Sequence, residues 1–378
     1  MAGPPTEDTG GHRADTLDVA ALCKERGWNW SRLARELRRV AKIAGITLPS
    51  DDSLRRRFRG WANSGRQPDE MYTMLLRQAF GLVQTHPVEH PGDFLGRIDR
   101  GFSIDKETVA ALEAQTDGMR LLDRRLGAHR LLSQSEMHAR TIADLVQWSP
   151  EGHIRRDLAA AGAEAAALAG WQALDLGQLK AAWNLHTLAR GLAGESGYPS
   201  IIAHVFAQQA YALLDAGRAA QAAAQFEAAR AAAGTSVPGV VRAWLITAEA
   251  EARAANGERG TTLKLLDRAD RYLSDDAVPG IFLDPAHLAR WRGHCLARLG
   301  HEEAVTTLTS ALEQLDPEFN RAAAGLHTDL AIAHDARGDR DGRHHHAEMA
   351  NSLSSSTGST RQRLRIQALL DAEGEQVK

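Results

Sequence analysis

Five glycines recur along the second half of the chain: Gly177, Gly217, Gly257, Gly300 and Gly338, at spacings of 40, 40, 43 and 38 residues. Each follows one helix-length run and precedes another. Seven residues before each stands a small residue, Gly170, Ala210, Ala250, Gly293 or Ala331. Twelve residues after the first three and the last stand Ala189, Ala229, Ala269 and Ala350, with Ala311 one residue early in the fourth repeat. Ala182, Ala222 and Ala304 fill a third recurring small position, and Phe226, Leu266 and Leu308 are among the larger residues between. Such a period constrains the fold strongly. Each unit is a helical hairpin with Gly at its turn and small residues where the two helices approach. A hairpin of this kind buries its open face only against the next one, which makes a curved solenoid over about residues 155–352.

The rest of the chain fits an all-α protein. Aromatics are only 5%, Ala is abundant, and alternating β-branched runs bounded by turns are nearly absent. The 378 residues suffice for two to three domains. Cys23 and Cys295 lie far apart, fit no metal or redox spacing, and read as free thiols of a reducing cytosol. Met1 to Thr16 is polar and is expected to be disordered; it lacks the apolar stretch of a signal peptide, and no later run predicts a membrane span.

Charge is unevenly distributed. From Lys24 to Arg66 twelve basic residues face the four acids Glu25, Glu36, Asp51 and Asp52, so this segment carries +8. The net charge of −3 then leaves −11 for the remainder. A small basic module on an acidic body is the asymmetry to explain.

Within that module Leu17 to Arg26 reads as a helix closed by Gly27. Asn29 caps a second helix with Trp30, Leu33, Leu37, Val40 and Ala44 on one face, ended by Gly45. Pro49-Ser50 opens a third, whose core face is Leu54, Phe58 and Trp61. Its opposite face carries Asp52, Arg56, Arg59 and Asn63, flanked by Ser53 and Arg55. After a turn at Ser64-Gly65, Pro68-Asp69 starts a fourth helix that buries Met71, Tyr72, Leu75, Leu76 and Phe80 and stops at Gly81. An Arg-rich exposed third helix is what a helix-turn-helix needs in order to enter a major groove, where Arg bonds a guanine edge in bidentate fashion. Other Arg residues, Arg38 and Arg39 here, neutralise phosphates. A solvated basic helix face is the plainer alternative.

The segments Gly27-Trp28-Asn29-Trp30-Ser31-Arg32-Leu33, Leu48-Pro49-Ser50-Asp51-Asp52-Ser53-Leu54 and Trp61-Ala62-Asn63-Ser64-Gly65-Arg66-Gln67-Pro68 closely resemble the DNA-binding domain of actinobacterial XRE-type (Cro/repressor-like) regulators. The resemblance covers residues 17–82. It implies DNA contact by Ser50, Asp52, Ser53, Arg55, Arg56, Arg59 and Asn63, with Arg38 and Arg39 on the backbone. Leu176-Gly177, Ala216 to Ala222 and Leu299 to Ala304 make the second half similar to tetratricopeptide repeats, with longer units than usual. In that family inner helices line a concave surface. The matching register implies a groove of Trp171, His204, Tyr211, Trp244, Thr247, Glu251, His287, Arg290, His294 and Thr328, suited to a peptide or small ligand.

Between the two lie an expected linker, residues 83–104, and bridging helices within 105–150. These have an apolar stripe at Leu121, Leu122 and Leu126 and either cap the next domain or bridge two subunits. Residues 151–378 form the repeat domain, ending in a capping helix after Gly358. No motif assembles an enzyme. Gly257 to Thr262 lacks the Lys and the strand of a phosphate loop. His344-His345-His346 point 100° apart on a helix and read as solvated, with no metal or other cofactor expected. His294-Cys295 diverge in the same way and read as no catalytic pair. The expected function is therefore a sequence-specific, cytoplasmic and nucleoid-associated regulator. It would be homodimeric on a double-stranded DNA operator, with a peptide, small-molecule or protein effector in the solenoid and no membrane role. The alternative is a repeat scaffold or adaptor whose basic domain meets a protein partner.

Overall fold

The structure, a computed structural model, describes residues 17–63, 67–82, 91–274, 278, 281 and 283–376. Among them it is all-helical, with no strand and one isolated bridge pairing Val278 with Ile281. None of the described helices is long and apolar enough to cross a membrane. The expected disordered segment 1–16, the Ser64-Gly65 turn and most of the first part of the expected linker, residues 83–90, lie outside the described residues. The chain divides into two compact units, Met1–Pro91 and Gly92–Lys378.

Unit 1 contains α1 (Val19–Glu25), α2 (Trp30–Ile43), α3 (Asp51–Asn63) and α4 (Glu70–Ala79). Local chemistry sets its helix ends. The Asn29 side chain accepts from Arg32 N at 2.9 Å, and Asp69 accepts from Tyr72 N at 2.9 Å. Gly27, Gly45 and Gly81 take positive φ after α1, α2 and α4. Leu33, Leu37, Val40, Leu54, Phe58, Tyr72, Leu75 and Leu76 form the core, each contributing about 1.5–3 kcal/mol on burial. Trp61 bridges two rings, 5.5 Å from Phe58 and 5.2 Å from Tyr72. Two expected core positions differ. Ala44, at the end of α2, and Met71, in the first turn of α4, are exposed.

Unit 2 begins with a correction. Pro91–Phe102 is a helix, α5, where a linker was expected. Its Gly101 lies against the backbone carbonyl of Trp148, so closely that a Cβ would not fit, and the Ser149 hydroxyl donates to Gly101 O at 3.3 Å. Phe94 packs edge-on to Trp148. The glycine is there for close packing rather than for flexibility. Next come α6 (Lys106–Leu126), a 3-10 turn (Ala128–Arg130) and α7 (Leu132–Trp148). The leucine stripe of α6, Leu121, Leu122 and Leu126, is exposed, while Val109, Thr116, Met119 and Asp123, at helical spacing, form the buried face.

The remaining helices pair as hairpins: α8 (His153–Asp175) with α9 (Leu179–Ser196); α10 (Pro199–Gln208) and α11 (Ala210–Asp215) with α12 (Ala219–Ala233); α13 (Gly239–Ala255) with α14 (Arg259–Asp270); α15 (Pro285–Arg298) with α16 (Ala304–Glu313); and α17 (Asn320–Ala336) with α18 (Arg340–Thr357). A last helix, α19 (Thr360–Gln376), follows. Each turn glycine of the repeat has φ between 59° and 75°. The recurring small residues are buried at helix crossings. A Cβ on Gly170 would lie 2.8 Å from the His186 ring, and one on Gly293 would lie 2.6 Å from Leu308 Cδ2.

The hairpin array closes on itself. His129 Nδ1 lies 2.9 Å from Thr357 O, the Ser359 hydroxyl donates to Asp175 Oδ1 at 2.7 Å, and Arg125 pairs with Glu318 at 2.5 Å. The last two helices thus reach α6, α8 and the 3-10 turn. The concave side of the array becomes a half-open cavity.

Candidate functional site

The cavity is about 360 Å³ and is lined from α6, α8, α10, α11, α13, α15, α17 and α19. That volume lies in the range of small-molecule sites, about 300–1,000 Å³. Eight of the ten groove residues expected from sequence line it: Trp171, His204, Tyr211, Trp244, Glu251, His287, Arg290 and His294. Thr247 and Thr328 do not, which corrects the groove. Both are fully buried, and their hydroxyls donate to Ala243 O and Ala324 O at 2.8 Å, the usual back-bond of a helical threonine.

One wall is aromatic. Trp171 meets Tyr211 edge-on at 5.3 Å, Trp244 meets Trp291 at 5.8 Å and His204 meets Trp244 at 4.6 Å. Arg361 stacks over both Trp171 and Tyr211. A polar chain crosses beneath. Tyr211 and the Trp291 Nε1–H donate to Glu251 Oε2 at 3.2 and 2.6 Å. His294 lies 3.3 Å from Glu251 and 2.8 Å from Asp329, and Arg365 donates to Asp329 at 2.5 Å. Burial alone would raise the Glu251 carboxyl, but His294, Arg361 and Arg298 outweigh it and hold the group down at about 2. Asp329 is likewise buried and is held well below the usual range by His294 and Arg365. Asp215 raises Arg361 against the cost of burial.

Seven arginines face the cavity against five carboxylates. Arg120 pairs with Glu164 at 3.1 Å and Arg321 with Asp123 at 2.5 Å. Arg298 donates to His294 Nε2 at 3.0 Å, and Arg124 lies over the Phe319 ring. Sequence reading missed most of this charged lining. Arg298 was within its reach, being four residues beyond His294 on the same face of α15. Arg361 and Arg365 share a face of α19, which was read only as a cap.

In unit 1 the exposed surface of α3 presents Asp52, Arg55, Arg56 and Arg59, while Ser53 is half-buried. Ser50 is exposed, with its hydroxyl 3.3 Å from Ser53 Oγ. The Asn63 side chain lies outside the described residues. Arg38 is engaged, donating to Asp51 at 2.6 Å and to Pro49 O at 3.0 Å, and Arg39 pairs with Glu36 at 2.8 Å. Arg57 lies over Tyr72. Arg55, Arg56 and Arg59 have no hydrogen-bond or ion-pair partner among the described residues.

Among the described residues no group of three or more His, Cys, Asp or Glu is arranged to hold a metal ion. His344 and His345 are exposed as read, but His346 is half-buried and stacks on His334 at 5.2 Å. Cys295 is fully buried, and desolvation pushes its thiol well above the ordinary range. Comparison with family models, with characterised proteins and with solved structures finds no match, so the functional reading rests on the residues themselves.

Proposed function

We propose that this chain is a DNA-binding transcriptional regulator, with unit 1 reading an operator and the cavity of unit 2 holding an effector. The observation that carries the reading is on α3. Arg55, Arg56 and Arg59 stand exposed on one helix without partners among the described residues, while Arg38, Arg39 and Arg57 of the same unit are engaged. An arginine without an internal partner gives up no ion pair when it meets a guanine edge or a phosphate. In this reading α3 is the recognition helix of an XRE-like domain and α8 to α19 are a tetratricopeptide-like array. Two chains read two half-sites about one helical turn apart, so a ligand that shifts the array alters their spacing.

The test is selection of bound fragments from the source genome, followed by anisotropy titrations over a range of salt. The expected result is an inverted repeat bound at nanomolar affinity with a steep salt slope, strongly weakened by Ala at Arg55, Arg56 and Arg59 together. Equal affinity of that triple variant and the parent for the operator refutes the assignment. Weak binding that is equal on every fragment turns the reading to an adaptor.

A further inference from the structure

Arg290 differs from every other arginine of the cavity. It projects from α15 between His287 and His294 on the same helical face, and no hydrogen bond or ion pair holds its guanidinium among the described residues. Arg321 is ion-paired with Asp123 through Nη1, off the line of a hydrogen bond. Arg290, Arg321 and Arg124 lie near enough to repel one another. Burial lowers Arg290, and these two positive neighbours lower it further against the opposing pull of Asp329 and Asp284. A half-buried cluster of like charges is costly unless something compensates it. The carboxylates of the cavity do so only in part, because Glu251 and Asp329 are occupied by Trp291, Tyr211, His294 and Arg365. Beside this cluster stand the rings of Trp171, Trp244 and Trp291, which favour a flat apolar body.

We propose that the cavity binds a small aromatic oxyanion, a carboxylate or a phosphate ester, with Arg290 and Arg321 clamping the anionic group and the tryptophans holding the ring. Planar guanidinium donors match both anions in bidentate geometry. The inference rests on the cavity being the effector site of a regulator, and its test is kept free of DNA so that the two readings fail separately.

The experiment is calorimetric titration of the full chain with three probes of one shape: 2-naphthoate, 2-naphthyl phosphate and neutral 2-naphthamide. At least one anion should bind tenfold or more tighter than the amide, and whichever anion wins identifies the oxyanion. Arg290→Met should abolish that preference, and Arg290→Lys should keep part of it. Because Arg290 has no internal partner, its removal orphans no carboxylate, unlike removal of Arg361 or Arg365. Equal affinity for all three probes, no binding of any probe, or a preference that survives Arg290→Met overturns the proposal. The comparison of probes on the parent chain decides it even if a variant fails to fold.

Discussion

His186 allows a sharp test of how the hairpins are packed. Its ring, on α9, fills the space that Gly170 leaves on α8; it is fully buried, and neither ring nitrogen has a hydrogen-bond partner. Desolvation, with a smaller contribution from His204, lowers its pKa from 6.5 to about 4. The unfolded chain therefore binds this proton more tightly than the folded chain does. The contribution of this group to stability is fully present above pH 6.5 and is lost as the pH drops toward 4. The full shift corresponds to about 3 kcal/mol, and by pH 5 about 2 kcal/mol of it is already lost. His186→Leu keeps a similar volume and removes the titration. Urea unfolding of both proteins at pH 7.5 and pH 5.0 isolates the effect, because the other depressed histidines, His138, His287, His327 and His346, are common to both. The parent should lose about 2 kcal/mol more than the variant between the two pH values. At pH 7.5 the variant should be at least as stable, since two orphaned polar atoms are gone. Parallel pH profiles for the two proteins would refute the burial argument.

Other perturbations bear on the crossings and closures. Gly293→Ala places a methyl 2.6 Å from Leu308 Cδ2, so overpacking of about 1–3 kcal/mol should exceed the ~1 kcal/mol gain in helix propensity; a double-mutant cycle with Leu308→Ala should show coupling of about 1 kcal/mol. Gly358→Ala sets a side chain at φ 71° against the His129 ring, and thermal unfolding should register a loss of about 2 kcal/mol or more. Cys23 is buried in unit 1 and Cys295 in unit 2, so single Cys→Ser variants followed by thiol labelling in urea should report the opening of each unit separately; rapid labelling of Cys295 in native buffer would count against its burial. Arg56→Ala should cost about 1–3 kcal/mol on the selected operator and relax sequence choice at one position, read by anisotropy on operator variants.

What was legible in the chain before folding is what neighbouring residues impose on one another. Helix starts at Asn29 and Asp69, stops at Gly27, Gly45 and Gly81, and the hairpin turns at Gly177 through Gly338 are local events of backbone conformation and capping. The period of small residues located the helix crossings for the same reason, because close approach forbids a larger side chain whatever lies beyond. The register implied by the repeat resemblance also brought out eight cavity residues, since they share the inner faces of successive helices.

Local pattern failed where the partner lies far along the chain. Gly101 looked like a linker residue because nothing nearby reveals the Trp148 carbonyl against it. The buried face of α6, Val109, Thr116, Met119 and Asp123, was not legible either, because burial depends on which face meets α8, not on apolarity alone. The closure of the array rests on pairs 146, 184 and 228 residues apart, Arg361 with Asp215, Ser359 with Asp175 and His129 with Thr357. Such contacts leave no periodic trace in the sequence. They turn a groove into a cavity and set its charge by deciding which arginines find carboxylates and leave Arg290 without one. The order of residues thus determined the helices, their turns and their crossings, since those depend on backbone and neighbours. Only the folded chain decided the shape and electrostatics of the site, because charge pairing depends on distances in space.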